Sequence, residues 1–303
     1  MEFLVSSTKS NAALLLCAII WGFAFVAQRV GMEYIGPFTY NGVRFALGAV
    51  SLLPLIFFLD RKNKKQPGIP AGWIKALRPG LIAGMVLFAG SSLQQVGLIS
   101  TEAGKAAFIT GLYMVLVPFG LLLFKKPLKR TSILASLIAT AGLYFISVKS
   151  DFSISRGDLF ELAGSFFWAA HILVIDSFVK KTDVLKLAFF QCITCSLLSS
   201  ITALITEPVA AGGIEQALVP ILYGGLCSVG IAYTLQIIGQ KHAHPSHSAI
   251  ILSMETVFAA IGGYFILDER LGLRAYAGCI LMFAGMMLSQ YSNAAKSEVG
   301  EMA

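Results

Sequence analysis

The run SAIILSMETVFAAIGGYFIL at residues 248–267 decides the fold. As an α-helix rising about 1.5 Å per residue, twenty residues reach across a hydrocarbon core of roughly 30 Å. The run has a single ionisable side chain, Glu255, well inside it. A charge at that depth costs at least ~2.5 kcal/mol on insertion scales, so Glu255 has to face a bundle interior, a partner or a water-filled path and not lipid.

Outward from this stretch, runs of the same kind recur at about 11–30, 37–59, 74–97, 104–124, 131–149, 157–176, 186–206, 216–238, 247–267 and 273–291. They predict an all-α polytopic membrane protein with ten transmembrane helices and short connections. Composition agrees: hydrophobic residues are 56% of the 303 and charged residues 13%, against roughly 25% charged in soluble chains. The runs are too long and too uniformly apolar for the alternation of an outer-membrane barrel. Pro79, Gly80, Gly84, Gly224, Gly225 and Gly230 interrupt spans in the way membrane bundles use for close backbone approach. The first run follows a single Lys9 and lacks an Ala-x-Ala-like end, so it reads as a retained span and not a signal peptide.

The formal charge is +7, but the basic residues sit between apolar runs, which points to a membrane face and away from nucleic acid. With the N-terminus inside, sixteen Lys and Arg fall on the cytoplasmic side and six on the other, Arg44 lying within a span. The bias predicts cytoplasmic termini, with residues 292–303 as a cytoplasmic tail. All five cysteines lie in apolar runs. The Cys192-x-x-Cys195 pair reads as two small residues on one buried helix face and not as a redox or metal motif. His242, His244 and His247 cluster before the ninth span without a clear fourth ligand, so they read as interfacial polar groups; no metal or cofactor is expected.

The chain repeats itself. An offset of 147 residues places Trp21 on Trp168 and Arg44 on Gln191; an offset of 142 places Leu93-Gln94 on Leu235-Gln236; an offset of 143 places Ala141-Gly142 on Ala284-Gly285. Residues 11–149 and 157–291 therefore read as two five-helix repeats. Five is odd, so the second repeat enters the membrane inverted, an arrangement that supplies two oppositely facing gates around a midplane site.

Ala-Ile-Ile-Trp-Gly-Phe-Ala-Phe at 18–25, the Arg44 region, Pro245-Ser246-His247-Ser248-Ala249 leading to Ser253-Met254-Glu255-Thr256-Val257-Phe258-Ala259-Ala260, and Asp268-Glu269-Arg270-Leu271 carry a resemblance. In these residues and in the duplication across 11–291, the chain resembles an EamA-type member of the drug/metabolite transporter superfamily. The family often has proline after the glutamate of the ninth helix; Thr256 stands there, so no proline kink carries over. The resemblance implies a secondary transporter of the bacterial inner membrane, surrounded by lipid, a monomer or weak homodimer, moving small polar metabolites such as amino acids or derivatives outward.

Candidate substrate-binding residues follow from polar and aromatic placement. Trp21, Phe25 and Gln28 share one helix face; Trp168 repeats the aromatic anchor, with His171 as a different polar group, so the cavity is expected to be chemically asymmetric. Asn41, Arg44 and Gly48 share a face of the second span. Three readings of Arg44 stay open: snorkelling, pairing with Glu255, or meeting an anionic ligand group. Gln191 is its uncharged counterpart. Gln94, Tyr113, Tyr233 and Gln236 complete the set, ligand contact competing with plain interhelical hydrogen bonding. At the 143-residue offset Leu112, not Tyr113, falls on Glu255. Desolvation disfavours the charged form of a carboxylate, so Glu255 is the candidate for proton coupling, with a structural hydrogen bond as the alternative. No catalytic constellation occurs among the spans, and an enzyme is not expected. A nucleotide-sugar or cationic-drug carrier, a channel, and a non-transporting scaffold or receptor are the other readings.

Overall fold

The computed structural model describes residues 2–62, 71–123, 130–147, 155–208, 212–266 and 273–301. Its elements are helices: α1 (Glu2–Gly31), α2 (Pro37–Lys62), α3 (Ala71–Gly97), α4 (Ala103–Gly111), α5 (Tyr113–Leu123), α6 (Arg130–Ser147), α7 (Arg156–Phe178), α8 (Val184–Thr206), α9 (Gly213–Gln216), α10 (Leu218–Leu222), a π-helical segment Tyr223–Ala232, α11 (Tyr233–Gln240), α12 (Pro245–Leu252), α13 (Glu255–Ile266) and α14 (Leu273–Glu301). Among the described residues there is no strand. Eight stretches are long and apolar enough to cross a membrane; α6 and α14 contain shorter apolar stretches, 133–142 and 276–288.

The bundle is inverted relative to a soluble protein. Leu204 and Ile205 stand about four-fifths exposed, while Gln95, Gln191, Glu161 and His171 are fully enclosed. An apolar surface of this extent is a liability in water and the natural complement of lipid. The multi-pass membrane assignment follows from that inversion as much as from helix length.

The helices pair in a pattern that survives exchange of the two halves. α7 packs on α4 and α5, as α1 packs on α12 and α13; α3 packs on α7 and α8, as the π-helical segment packs on α1 and α2, with α11 on α1. The α2–α8 and α6–α14 pairs map onto themselves. Small residues permit the close approaches: a Cβ on Gly48 would overlap Val229, and one on Gly225 would come within 2.6 Å of Leu47. The local loosening to π geometry thus lies where α2 presses on a glycine-rich segment.

Besides the eighth, which passes through the π-helical segment, two spans differ from the continuous helices expected. The fourth breaks at Leu112 and the ninth at Ser253–Met254, near mid-span. The run 248–267 is therefore two helices, with Glu255 as the first residue of the second. At the other end of the chain, α14 continues as helix through Glu301, where a tail was expected from residue 292.

The α2–α8 pair is clamped at both ends. The carboxylate of Glu207 accepts from the backbone N–H of Phe38 (2.7 Å) and Thr39 (2.8 Å) and from the Thr39 hydroxyl (2.6 Å), capping orphan donors of α2 from across the helix interface. At the opposite end the buried Lys186 donates to Asp60 at 2.8 Å and lies over the Trp73 ring.

Candidate functional site

One cavity, with about 470 Å³ of empty space including its opening, lies between the two halves. Its walls are contributed in matched pairs: Trp21 with Trp168, Phe25 with Ile172, Gln94 with Gln236, Thr110 with Leu252, and Tyr113 with Glu255. The first two pairs are 147 residues apart and the other three 142. Tyr113 and Glu255 each begin the helix after a break, so they correspond in structure. The 143-residue register misses this because it holds only later in the repeat, at Ala141-Gly142 and Ala284-Gly285, whereas the offset is 142 from Gln94 through Tyr113. Gln28, Arg44, Ser228 and Tyr233 add polar edges without a matched partner on the wall.

The aromatic wall is interlocked. Trp21 meets Tyr233 edge-on with centroids 4.8 Å apart, and its Nε1 donates to the Ser228 carbonyl at 3.2 Å. That carbonyl belongs to the π-helical segment. Trp168 offers its ring without an Nε1 partner. At the end near α3, Gln94 Nε2 donates to Gln28 Oε1 (3.1 Å), and Gln28 Nε2 donates to the Ala24 carbonyl (3.1 Å).

Arg44 is 2% exposed, which removes the snorkelling reading. Its Nε donates to Asn41 Oδ1 at 2.9 Å while Asn41 Nδ2 donates to the Ser91 carbonyl at 3.1 Å. The guanidinium carbon stands 4.8 Å from the Phe45 ring centroid and 5.4 Å from that of Tyr40. Among the described residues no carboxylate is within ion-pair distance of Arg44, Glu255 included. A guanidinium held through one edge and stacked on aromatic rings presents its other donors to the cavity. Five donors in a planar fork match a carboxylate or phosphate.

Glu255 is 4% exposed and accepts at Oε1 from the Tyr113 hydroxyl at 3.0 Å. The cavity thus holds one cationic and one acidic group, unpaired with each other. Asn41, His171 and Gln191 do not line it. Asn41 orients Arg44 from behind; His171 Nε2 meets Gln191 Oε1 at 3.0 Å in a buried pair behind Tyr233, whose ring is edge-on to the imidazole at 6.0 Å. Every other candidate residue reaches the cavity wall.

Sequence reasoning passed over Thr110, Ser228 and, outside the cavity, Glu161. Glu161 has the look of a charge near a loop edge, yet it is completely enclosed and accepts from the Thr110 hydroxyl at 2.9 Å. Glu255 is therefore not alone as a buried carboxylate. The cysteines 192 and 195 are free thiols in the packed interior, and among the described residues no three His, Cys, Asp or Glu side chains are grouped as metal ligands.

The sequence profile of the EamA-like transporter family matches residues 8–148 and again 155–291. An "uncharacterized transporter" of Archaeoglobus fulgidus is 29% identical over 285 residues, covering 94% of this chain and 86% of the relative. A "probable amino-acid metabolite efflux pump" of Salmonella typhimurium is 23% identical over 306 residues, covering 94% of this chain and 96% of its own. A solved crystal structure superposes with a TM-score of 0.75 at 16% identity over 93% of this chain and 96% of that one; at that identity the likeness is one of fold.

Proposed function

The chain belongs to the EamA-like transporter family, and from that premise we propose that it exports amino acids or their derivatives by alternating access, with protons as the coupling ion. As a member of that family it is a secondary transporter that moves small molecules across a membrane, and not an enzyme. The observation that carries the substrate class is the pairing of opposites across one small cavity: the unpaired Arg44 guanidinium suits a carboxylate, Glu255 with Tyr113 suits an amine or a proton, and Trp21, Trp168 and Tyr233 suit an apolar side chain. A purely cationic drug leaves Arg44 buried without an anion, which disfavours that carrier.

The transport cycle rests on two inverted five-helix repeats, residues 11–149 and 157–291, with α6 and α14 supplying the fifth and tenth spans. The exchange-symmetric packing and the matched cavity walls support this reading, as does a family profile that matches twice. The location proposed is a bacterial inner membrane, and the Lys and Arg bias supports cytoplasmic termini. The decisive experiment is counterflow in proteoliposomes, each standard amino acid loaded in turn. Saturable exchange of one or more is expected; exchange of nucleotide sugars or quaternary amines, with none of amino acids, overturns the assignment.

A further inference from the structure

Glu161 sits in a purpose-shaped slot. It is the sixth residue of α7 and fully enclosed. Its Oε2 accepts from Thr110 at 2.9 Å, whereas Oε1 is buried without a hydrogen-bond partner. The slot is closed by the last residue of α3, Gly97; a Cβ there would come within 2.7 Å of Oε1 and 2.9 Å of the Glu161 Cδ and Cγ. A side chain at residue 97 would push the carboxyl out of this position. The charged and titratable groups on the surrounding elements are committed elsewhere. Lys105 of α4 is held by Asp158 of α7 at 2.7 Å, and Arg29 of α1 donates to the carbonyls of Leu98 and Thr101.

These groups stand in steps of one helical turn. Asp158, hydrogen-bonded by Lys105 and Thr101, lies at the first turn of α7; Glu161 follows three residues further in. On the facing fourth span Thr110 is succeeded three residues on by Tyr113, which donates to Glu255. Asp158 and Glu161, three apart on α7, are neighbours, and Thr110 and Tyr113 flank the break at Leu112, so the polar contacts Asp158–Thr101, Glu161–Thr110 and Glu255–Tyr113 follow one another from the 97–103 loop to the cavity. Thr110 belongs both to the Glu161 contact and to the cavity wall.

We propose that Glu161 is a second proton-carrying residue, which with Thr110 forms a path for protons between that end of the bundle and Glu255. A carboxyl sealed from water with no cation beside it holds a proton in preference to a bare charge. When the slot opens as the halves rock, Glu161 gives its proton to the Thr110 oxygen while the Thr110 hydroxyl turns and passes its own proton along the cavity wall to the carboxylate of Glu255; one acid loses what the other gains. With the termini cytoplasmic the path opens on the outer side, where protons enter an exporter that runs by exchange. Buried acids facing a bundle interior are the usual members of such relays. The inference rests on the proton-coupled reading of the transporter.

The test uses the full chain in lipid vesicles with an entrapped pH-sensitive dye, and the probe is an equimolar mixture of the standard amino acids. Wild-type vesicles move protons on addition of the mixture, and E161Q vesicles lose this while still exchanging labelled for unlabelled amino acids. Infrared pH titration of the same vesicles shows one titrating carboxyl fewer in E161Q than in wild type. Wild-type vesicles that move no protons overturn the coupled reading and the path together. If wild type moves protons and E161Q does so equally, or if the infrared titrations coincide, the path alone fails. Should E161Q not fold, T110V replaces it: the carboxyl stays, the crossing hydroxyl goes, and proton movement is lost. T110V with wild-type proton movement overturns the path.

Discussion

Tyr113 and Glu255 each begin a helix after a mid-span break, one in each half of the chain, and the tyrosine hydroxyl donates to the carboxylate at 3.0 Å. The two positions correspond under the internal repeat and meet across it. At each break the helical ladder tightens to three-residue bonds, Leu112 to Ile109 and Val115 to Leu112 in one span, Met254 to Ile251 and Thr256 to Ser253 in the other; such a mid-span 3₁₀ stretch marks a hinge, and this bond joins the two.

Removing the titrating atom while keeping size tests the first role. Glu255→Gln is expected to insert, retain some exchange of amino acid for amino acid, and lose accumulation driven by a pH gradient. Tyr113→Phe keeps the acid and deletes one hydrogen bond, about 0.5–1.5 kcal/mol, so it should retain coupling with an altered pH dependence. Uptake against a gradient and counterflow, measured at matched protein density, decide between this and a structural role, in which folding and both activities fall together.

Arg44→Gln should raise the KM for an amino acid by about 10- to 100-fold, the equivalent of losing a charged hydrogen-bonding partner worth roughly 1.5–3 kcal/mol. The corresponding amino alcohol, which lacks the carboxylate, should compete equally weakly in both proteins. Competition assays with the two compounds check it, and an equal loss for both speaks for a packing effect.

The helical nature of the chain was legible because an apolar run of about twenty residues has few other homes. The cavity was half legible: Trp21, Phe25, Gln28, Arg44 and Glu255 are polar or aromatic departures in apolar runs, and the structure brings them together. The breaks at Leu112 and Ser253–Met254 stand beside Gly111 and at Ser253, weaker helix formers, but such residues in apolar runs serve close helix packing as readily as they end a helix. Glu161 was hidden by its neighbours Arg156 and Asp158, which mark a span edge, while the enclosure is made by Gly97 and Thr110 far away in sequence. His171 and Gln191 face each other and not the cavity, a choice of helix rotation that two polar residues on different spans cannot reveal.

Gly22→Ala tests how tightly the acid is positioned. A Cβ at residue 22 would overlap Phe258 and come within 2.7 Å of the Glu255 carbonyl, so α13 has to move. Overpacking of this kind costs about 1–3 kcal/mol. A lowered Tm in detergent and impaired gradient-driven uptake are expected; an unchanged Tm means that α1 and α13 are looser than the packing indicates.

The matched tryptophans should respond differently to the same substitution. Trp21 Nε1 donates to the carbonyl of Ser228, so Trp21→Phe removes a donor from the π-helical segment and leaves a buried acceptor to find another partner, a change worth about 1–3 kcal/mol. Trp168 Nε1 is buried and bonded to nothing. Trp168→Phe deletes an unsatisfied donor and part of a ring, so the lost packing is offset and stability should change by less than about 1.5 kcal/mol. Both variants enlarge the cavity and should favour bulkier side chains among the amino acids exchanged. Thermal unfolding in detergent, paired with counterflow for small and aromatic amino acids, separates the effects: a markedly lower Tm for Trp21→Phe than for Trp168→Phe is expected, with a shift in selectivity in both. Equal losses of Tm remove the energetic distinction between the halves, and unchanged selectivity in both takes the tryptophans out of the substrate's path.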